Sequence, residues 1–162
     1  MGNKTIVYRQ KVLDSLSESN KHLSRLNGAF GELQKRYTFP LNNQSFLAVL
    51  NDIQLLAYSD QCIYRFSKLQ DSMGAKLFKS VLLYQGENIN KPFLDILNQL
   101  ERMNIIEVDE WFEIRDLRNE IAHDYEADEN SSVNILNAIY KIKDELESVL
   151  KSIETVVKIK PK

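Results

Sequence analysis

The chain has 162 residues, of which 43% are hydrophobic and 27% are charged, and its formal net charge is −2. This composition is typical of a globular domain and excludes a disordered chain. The length predicts a single domain over residues 1–162. With 5 glycines and 3 prolines, the chain has too few turn residues for a sandwich or barrel. We therefore predict an all-α fold of few, long helices.

Apolar residues at three-to-four spacing indicate where the helices lie. The predicted helices run from Thr5 to about Arg36, from the capping residues Asn42–Ser45 to Tyr84, from Pro92 to about Met103, from about Asp109 to His123, and onward from a cap at Ser131 or Ser132. Gly74 is a point where the second helix could break, and Gly86 is placed to end it. Short connections predict an antiparallel, up-and-down bundle of four to five helices.

Several classes of protein are excluded by what the sequence lacks. One cysteine, Cys62, excludes an internal disulfide framework and indicates a reducing compartment; we expect it in the core. No apolar run has signal-peptide or membrane-span length, so we expect a cytoplasmic protein with no membrane association. Zinc-ligand spacing and glycine-rich phosphate loops are absent, so we expect no metal or cofactor. His22 is expected on the surface, and the tyrosines at core or edge positions.

Charge is distributed unevenly along the chain. Ten acidic residues and two arginines between Glu107 and Glu129 give a local balance of −8, and the rest of the chain has a balance of +6. RNA would be repelled by this stretch unless cations elsewhere face the same cleft, or its acidic flank contacts a protein partner instead. The candidate RNA-binding cations are Arg65, Lys68 and Arg115, with Lys76 and Lys79 as further lysines.

The end of the fourth predicted helix carries an unusual set of polar residues. On a helical wheel Arg118 falls inside the apolar sector, where a charge needs a partner, a subunit interface or a ligand. Asn119 and His123 are one turn apart and are neighbours. Tyr125 returns to the side of Arg118 if the helix continues that far, whereas Arg118 and His123 are about 140° apart.

These residue types suit phosphodiester chemistry. Arginine offers a planar fork of donors that matches phosphate oxygens, and histidine can transfer a proton near neutral pH. RNA supplies its own nucleophile, the 2′-hydroxyl, so a ribonuclease needs only a proton-transfer group and a cation. The alternative is structural, because a histidine at a helix C-terminus also favours the helix dipole. Both interpretations are open at this point.

The segment from Arg118 to Tyr125 has the form R-N-x3-H-x-Y. It resembles the signature of the HEPN superfamily, in which an arginine is followed four to six residues later by a histidine. The tyrosine two places after the histidine is similar to that of HepT-type toxins, the nuclease halves of HEPN–nucleotidyltransferase toxin–antitoxin pairs. The strong resemblance covers residues 111–125, and a looser one extends to residues 65–74.

The resemblance implies a helical bundle that forms a homodimer, with the two motifs facing one another across a cleft. It implies a metal-independent endoribonuclease that leaves a 2′,3′-cyclic phosphate. Arg118 would hold the scissile phosphate, His123 would transfer the proton, and Asn119 would support them. Tyr125 would accept AMP from a cognate nucleotidyltransferase antitoxin, which silences the nuclease.

The expected partners are therefore a second copy of the chain, RNA, and that antitoxin. The sequence has no Gly-Ser followed by an Asp-x-Asp pair, so the nucleotidyltransferase is expected on a separate chain. The principal hypothesis is the toxin of a type II toxin–antitoxin system. The alternatives are a non-catalytic helical binding partner of a nucleotidyltransferase, and a dimeric scaffold in which Arg118 and His123 only cap a helix.

Overall fold

The computed structural model describes residues 2–125 and 128–158, and these ranges contain helices and no strands. The helices are α1 (Asn3–Gln34), α2 (Asn43–Leu50), α3 (Ile53–Ser72), α4 (Phe78–Tyr84), α5 (Phe93–Arg102), α6 (Val108–Asp124) and α7 (Glu129–Lys158), with a π-helical turn at Met73–Leu77. The predicted first, third and fourth helices are confirmed to within two residues. None of the helices in these ranges is long and apolar enough to cross a membrane.

The helices pack around one continuous apolar core, and Cys62 is fully buried in it, as predicted. α1 and α3 run antiparallel: His22 lies 3.0 Å from Arg65, and Ser19 lies 3.4 Å from Ser72. The prediction of an all-α bundle is confirmed. Because α3, the π-helical turn and α4 form one continuous rod, the described ranges hold six helical rods instead of the four to five predicted.

The second predicted helix is wrong as one element, because the chain breaks at Asn51 and Asp52. Asp52 has extended backbone angles, and its carboxylate accepts hydrogen bonds from the amides of Gln54 and Leu55 at 3.0 and 3.1 Å. Asp52 is thus the N-cap of α3, and Asn51 before it is the C-cap of α2. The apolar spacing continues across the break, so the periodicity alone did not reveal it.

At Gly74, where the sequence allows a break, a π-helical turn over Met73–Leu77 interrupts the α-helix but keeps the rod continuous. The amide of Phe78 donates to the carbonyl of Met73, five residues earlier. A Cβ on Gly74 would lie 3.4 Å from Cζ2 of Trp111, which is almost fully buried and packs edge-on to Phe78 at 4.6 Å. The absence of a side chain at Gly74 thus lets α6 pack closely against the rod.

Gly86 ends the rod, as the sequence predicts. Its φ is +81°, its amide donates to the carbonyl of Leu83, and the amide of Glu87 donates to the carbonyl of Leu82. These two bonds form a Schellman motif, whose left-handed position favours glycine.

The predicted cap of the last helix is wrong by three or four residues. The carboxylate of Asp128 accepts from the amide of Ser131 at 2.7 Å, so α7 begins earlier than Ser131. Ser132 has another role: its hydroxyl donates to the carbonyls of Tyr125 and Asp128. The side chain of Ser132 thereby ties the end of α6 to the start of α7.

Candidate functional site

Arg118 on α6 is paired with Asp71 on α3. Its Nε lies 3.1 Å from Asp71 Oδ1 and its second guanidinium donor lies 3.1 Å from Oδ2, a bidentate contact. The sequence predicts a partner, a subunit interface or a ligand for this charge, and within one copy Asp71 is its partner. The sequence predicts no role for Asp71. Its one distinguishing feature in the sequence is that it lies in residues 65–74, the segment of looser resemblance.

The ion pair stays accessible to water. The side chains of Arg118 and Asp71 are 27% and 46% exposed. A pair this exposed contributes about 1 kcal/mol or less to stability. The fork of Arg118 is therefore oriented by a carboxylate that a phosphate could replace, because phosphate offers the same bidentate geometry.

His123 and Asn119 lie on a different side of α6. Both side chains are exposed, and their i, i+4 spacing within the helix makes them neighbours. Arg118 instead faces α3. One copy of the chain thus brings Asn119 and His123 together, and Arg118 lies about 140° from His123 around the helix.

Tyr125 follows the last residue of α6, and its side chain points towards α3, as Arg118 does. Its hydroxyl lies 3.5 Å from Oγ of Ser59, which is fully buried. Tyr125 and Arg118 thus both contact α3, although α6 ends one residue before Tyr125. An AMP transfer to this hydroxyl would require the phenol to turn away from Ser59.

The predicted RNA-binding cations divide between two faces. Arg65 and Lys68 lie on α3, both over the ring of Tyr64. Arg115 lies over the ring of Phe93 at 5.7 Å, so it faces α5 and does not extend the positive face of α3.

The two further lysines are also separate from the α3 face. Lys76 and Lys79 line a groove of about 440 Å³ between α1 and α4, and the ammonium of Lys76 is 3.5 Å from Glu18. They face α1, whereas Arg118 packs against α3. They therefore do not supply the positive charge expected beside the motif.

His22 is not a plain surface histidine. It is half-buried, and its Nδ1 lies 3.0 Å from a guanidinium nitrogen of Arg65. Burial, followed by the positive charge of Arg65, lowers the pKa of His22. Its sequence position on a polar face of the first helix gave no sign of this contact, which depends on how α1 packs on α3.

Four acidic residues of α6, namely Glu110, Glu113, Asp116 and Glu120, face α7. Glu113, Asp116 and Glu120 line a groove of about 480 Å³ together with Glu145 of α7. A second groove of about 600 Å³ contains Glu107, Glu110 and the same Glu145. Because Arg118 faces α3, these carboxylates and Arg118 lie on different sides of α6.

Burial and the crowding of these carboxylates raise the pKa of two of them, Glu110 and Glu145. Burial, and then the charges of Glu113 and Glu107, raise the pKa of Glu145. Burial, and then the charge of Glu145, raise the pKa of Glu110. A raised carboxyl pKa means that the folded state binds the proton more tightly than the unfolded state does. Stability is therefore lost as the pH rises through these pKa values.

Glu145→Gln removes this destabilising charge, so it should raise the melting temperature at pH 7 by about 1–2 °C. A change of 1 kcal/mol in the free energy of unfolding moves Tm by about 2–4 °C at this size, and a partly exposed charge contributes less than that. The gain should vanish at about pH 4, near the ordinary glutamate pKa. Thermal melts at several pH values measure this. Glu154→Gln, which removes an exposed carboxylate paired with Lys158 at 2.9 Å, should give no gain. An equal or lower Tm for Glu145→Gln at pH 7 would contradict the prediction.

Within the described ranges, no group of three or more His, Cys, Asp or Glu side chains is placed to hold a metal ion. Comparison with protein-family models, with curated proteins and with solved structures finds no match for this chain.

Proposed function

We propose that the chain is a HEPN-like endoribonuclease, the toxin of a type II toxin–antitoxin system, which acts as a homodimer on cytoplasmic RNA. The observation that carries the proposal is the exit of α6. There Asn119 and His123 lie side by side and exposed, close to an arginine whose fork is oriented by Asp71. An Arg-Asn-His set of this kind supplies a phosphate ligand and a proton-transfer group.

In the proposed reaction the 2′-oxygen of RNA attacks the adjacent phosphorus. His123 of one protomer takes the proton of the 2′-hydroxyl as the P–O2′ bond forms. The bond from phosphorus to the 5′-oxygen breaks, and that oxygen takes a proton from the partner's His123. Arg118 stabilises the charge that develops on the phosphoryl oxygens. The products are a 2′,3′-cyclic phosphate and a 5′-hydroxyl, and no electrons are transferred.

The directions of the side chains support the use of two copies. Arg118 contacts α3 and the exposed His123 lies about 140° from it around α6, so we place a phosphate held by Arg118 beside the partner's His123. A two-fold axis near the exit of α6 would bring each arginine to the histidine of the other copy. Closed two-fold dimers are the commonest symmetric assemblies.

The charge distribution supports an approach of RNA from the α3 side. The carboxylates of Glu113, Asp116 and Glu120 line the groove towards α7, and Arg65 and Lys68 lie on α3. RNA that reaches Arg118 along α3 meets cations first. This arrangement supports RNA binding despite the local balance of −8.

The test is incubation of the purified protein with single-stranded RNA in the presence of EDTA. We expect cleavage, with 2′,3′-cyclic phosphate ends detected by mass spectrometry. Single-stranded DNA of the same base sequence should stay intact, because it lacks the 2′-hydroxyl. If the dimer cuts no RNA, or cuts DNA equally well, the proposed reaction is wrong.

A second candidate function is binding of a nucleotidyltransferase without catalysis. The groove between α6 and α7 favours it, because Leu117, Ala138 and Ile142 line it together with four carboxylates and one lysine, Lys141. This excess of negative charge suits a basic partner. Intact mass after incubation with the candidate partner and ATP tests modification, and an unchanged mass contradicts it. A gain of AMP that Tyr125→Phe abolishes agrees with both candidate functions, so the absence of RNA cleavage by the unmodified protein is the result that supports this second one.

A further inference from the structure

Tyr64 is the one aromatic residue among the large apolar side chains that are exposed in the described ranges. Half of its side chain (50%) is accessible. The guanidinium carbon of Arg65 lies 5.2 Å from the ring centroid, and the ammonium of Lys68 lies 5.7 Å from it. The ring is therefore a half-exposed aromatic surface over which two cations lie.

The positive charge around this ring extends to α1. Arg65 contacts His22 on α1 at 3.0 Å. The charged groups that act on His22 are Arg65, Glu18, Lys21 and Lys68, of which only Glu18 is negative. Positive groups thus outnumber negative ones around His22, and we call this surface the basic face, although the chain as a whole has a net charge of −2.

The basic face lies next to the proposed catalytic arginine. Tyr64 and Asp71 are seven residues apart on α3, which is two helical turns, so they share one side of the helix about 10 Å apart. Lys68 lies between them. Asp71 holds Arg118, so the ring, the lysine and the arginine follow one another along α3.

We propose that Tyr64, Arg65, Lys68 and His22 form a stacking platform that binds single-stranded RNA beside the scissile phosphate. One base stacks on Tyr64 as the flexible side chains of Arg65 and Lys68 move from the ring to the phosphates that flank that base. The combination of an accessible aromatic ring with a basic surface is how proteins hold single-stranded nucleic acid without reading its sequence. The inference rests on the proposed function, because it assigns the nucleotides next to the cut to this platform.

The test is fluorescence anisotropy with a labelled, uridine-rich oligoribonucleotide, using protein with His123→Ala so that the RNA stays intact. Tyr64→Ala should weaken binding about tenfold, whereas Tyr64→Phe, which keeps the ring, should bind as the parent does. Lys68→Ala should weaken binding and flatten its dependence on salt by about one phosphate contact. A duplex RNA should depend on Tyr64 much less, because its bases are already stacked.

Lys35→Ala is a matched control, since Lys35 is exposed at the end of α1 and pairs with Glu32 at 2.9 Å. It should leave binding unchanged. Light scattering on each variant checks the oligomeric state. If Tyr64→Ala binds as tightly as Tyr64→Phe, or if it dissociates the dimer, the platform is overturned; the second outcome would make Tyr64 a contact between protein copies.

The platform and the proposed function can fail separately. A wild-type protein that binds RNA through Tyr64 and Lys68 without cutting it would support the platform and contradict the nuclease. The opposite result is cleavage that requires His123 together with RNA binding that does not change in the Tyr64 and Lys68 variants. It would support the nuclease and overturn the platform. A protein that binds no single-stranded RNA overturns both.

Discussion

Replacing His123 with alanine is expected to lower the rate of RNA cleavage by about 10²- to 10⁴-fold, the usual contribution of a general acid–base group. In the proposed reaction this histidine transfers a proton at both the attacking and the leaving oxygen. Its side chain is exposed at the last turn of α6, so its removal leaves no core cavity. The loss should therefore appear in kcat at an unchanged melting temperature.

Initial rates with single-stranded RNA in EDTA, together with a thermal melt, measure both quantities. Thr155→Ala is the control. Thr155 is exposed near the end of α7, whereas the start of that helix is the part that follows α6 and Tyr125. It should retain the wild-type rate. Cleavage by His123→Ala at the wild-type rate would exclude His123 from the reaction and would favour the scaffold hypothesis.

Replacing Arg118 with lysine should lower kcat/KM by about 10²- to 10³-fold, comparable to removing one donor to a developing negative charge. Lysine keeps the positive charge and loses the planar fork that engages two oxygens at once. The accompanying change in stability should stay at about 1 kcal/mol or less, since the pair with Asp71 is partly exposed. Rates and urea unfolding separate these effects.

Asp71→Asn distinguishes a phosphate ligand from a helix-to-helix contact. It removes the same ion pair and leaves the guanidinium of Arg118 in place, so its loss of kcat/KM should be less than tenfold. If Asp71→Asn and Arg118→Lys lose the same activity and the same stability, Arg118 acts only by joining α6 to α3.

The position of Arg118 shows what the sequence could predict. Its place in the apolar sector of a helical wheel correctly indicated that it needs a partner. The identity of the partner depends on the register between α6 and α3, which is fixed where Trp111 packs over Gly74. That contact joins residues distant in sequence, and no local pattern encodes it.

The charge around the motif shows a second limit. The local balance of −8 is a sum along the chain and does not say which way each side chain faces. Packing turns Glu113, Asp116 and Glu120 towards α7 and Arg118 towards α3. These carboxylates, which count against RNA binding in the linear sequence, therefore lie on a different side of α6 from Arg118.

Tyr64 shows a third limit. Helical spacing predicts Tyr64, like most of the other tyrosines, at a core or edge position. The structure leaves it 50% exposed, because within the described ranges no helix covers that side of α3. Periodicity identifies a helix, but it does not identify which of its faces is left uncovered.

The π-helical turn at Met73–Leu77 has a consequence for aligning this chain with others. A turn closed by a bond between residues five apart holds one residue more than an α-helical turn. A related chain with a regular α-helix at this point would be one residue shorter between Asp71 and Phe78. An alignment without a gap there would shift all later positions by one, so that Arg118 and His123 would be compared with their neighbours.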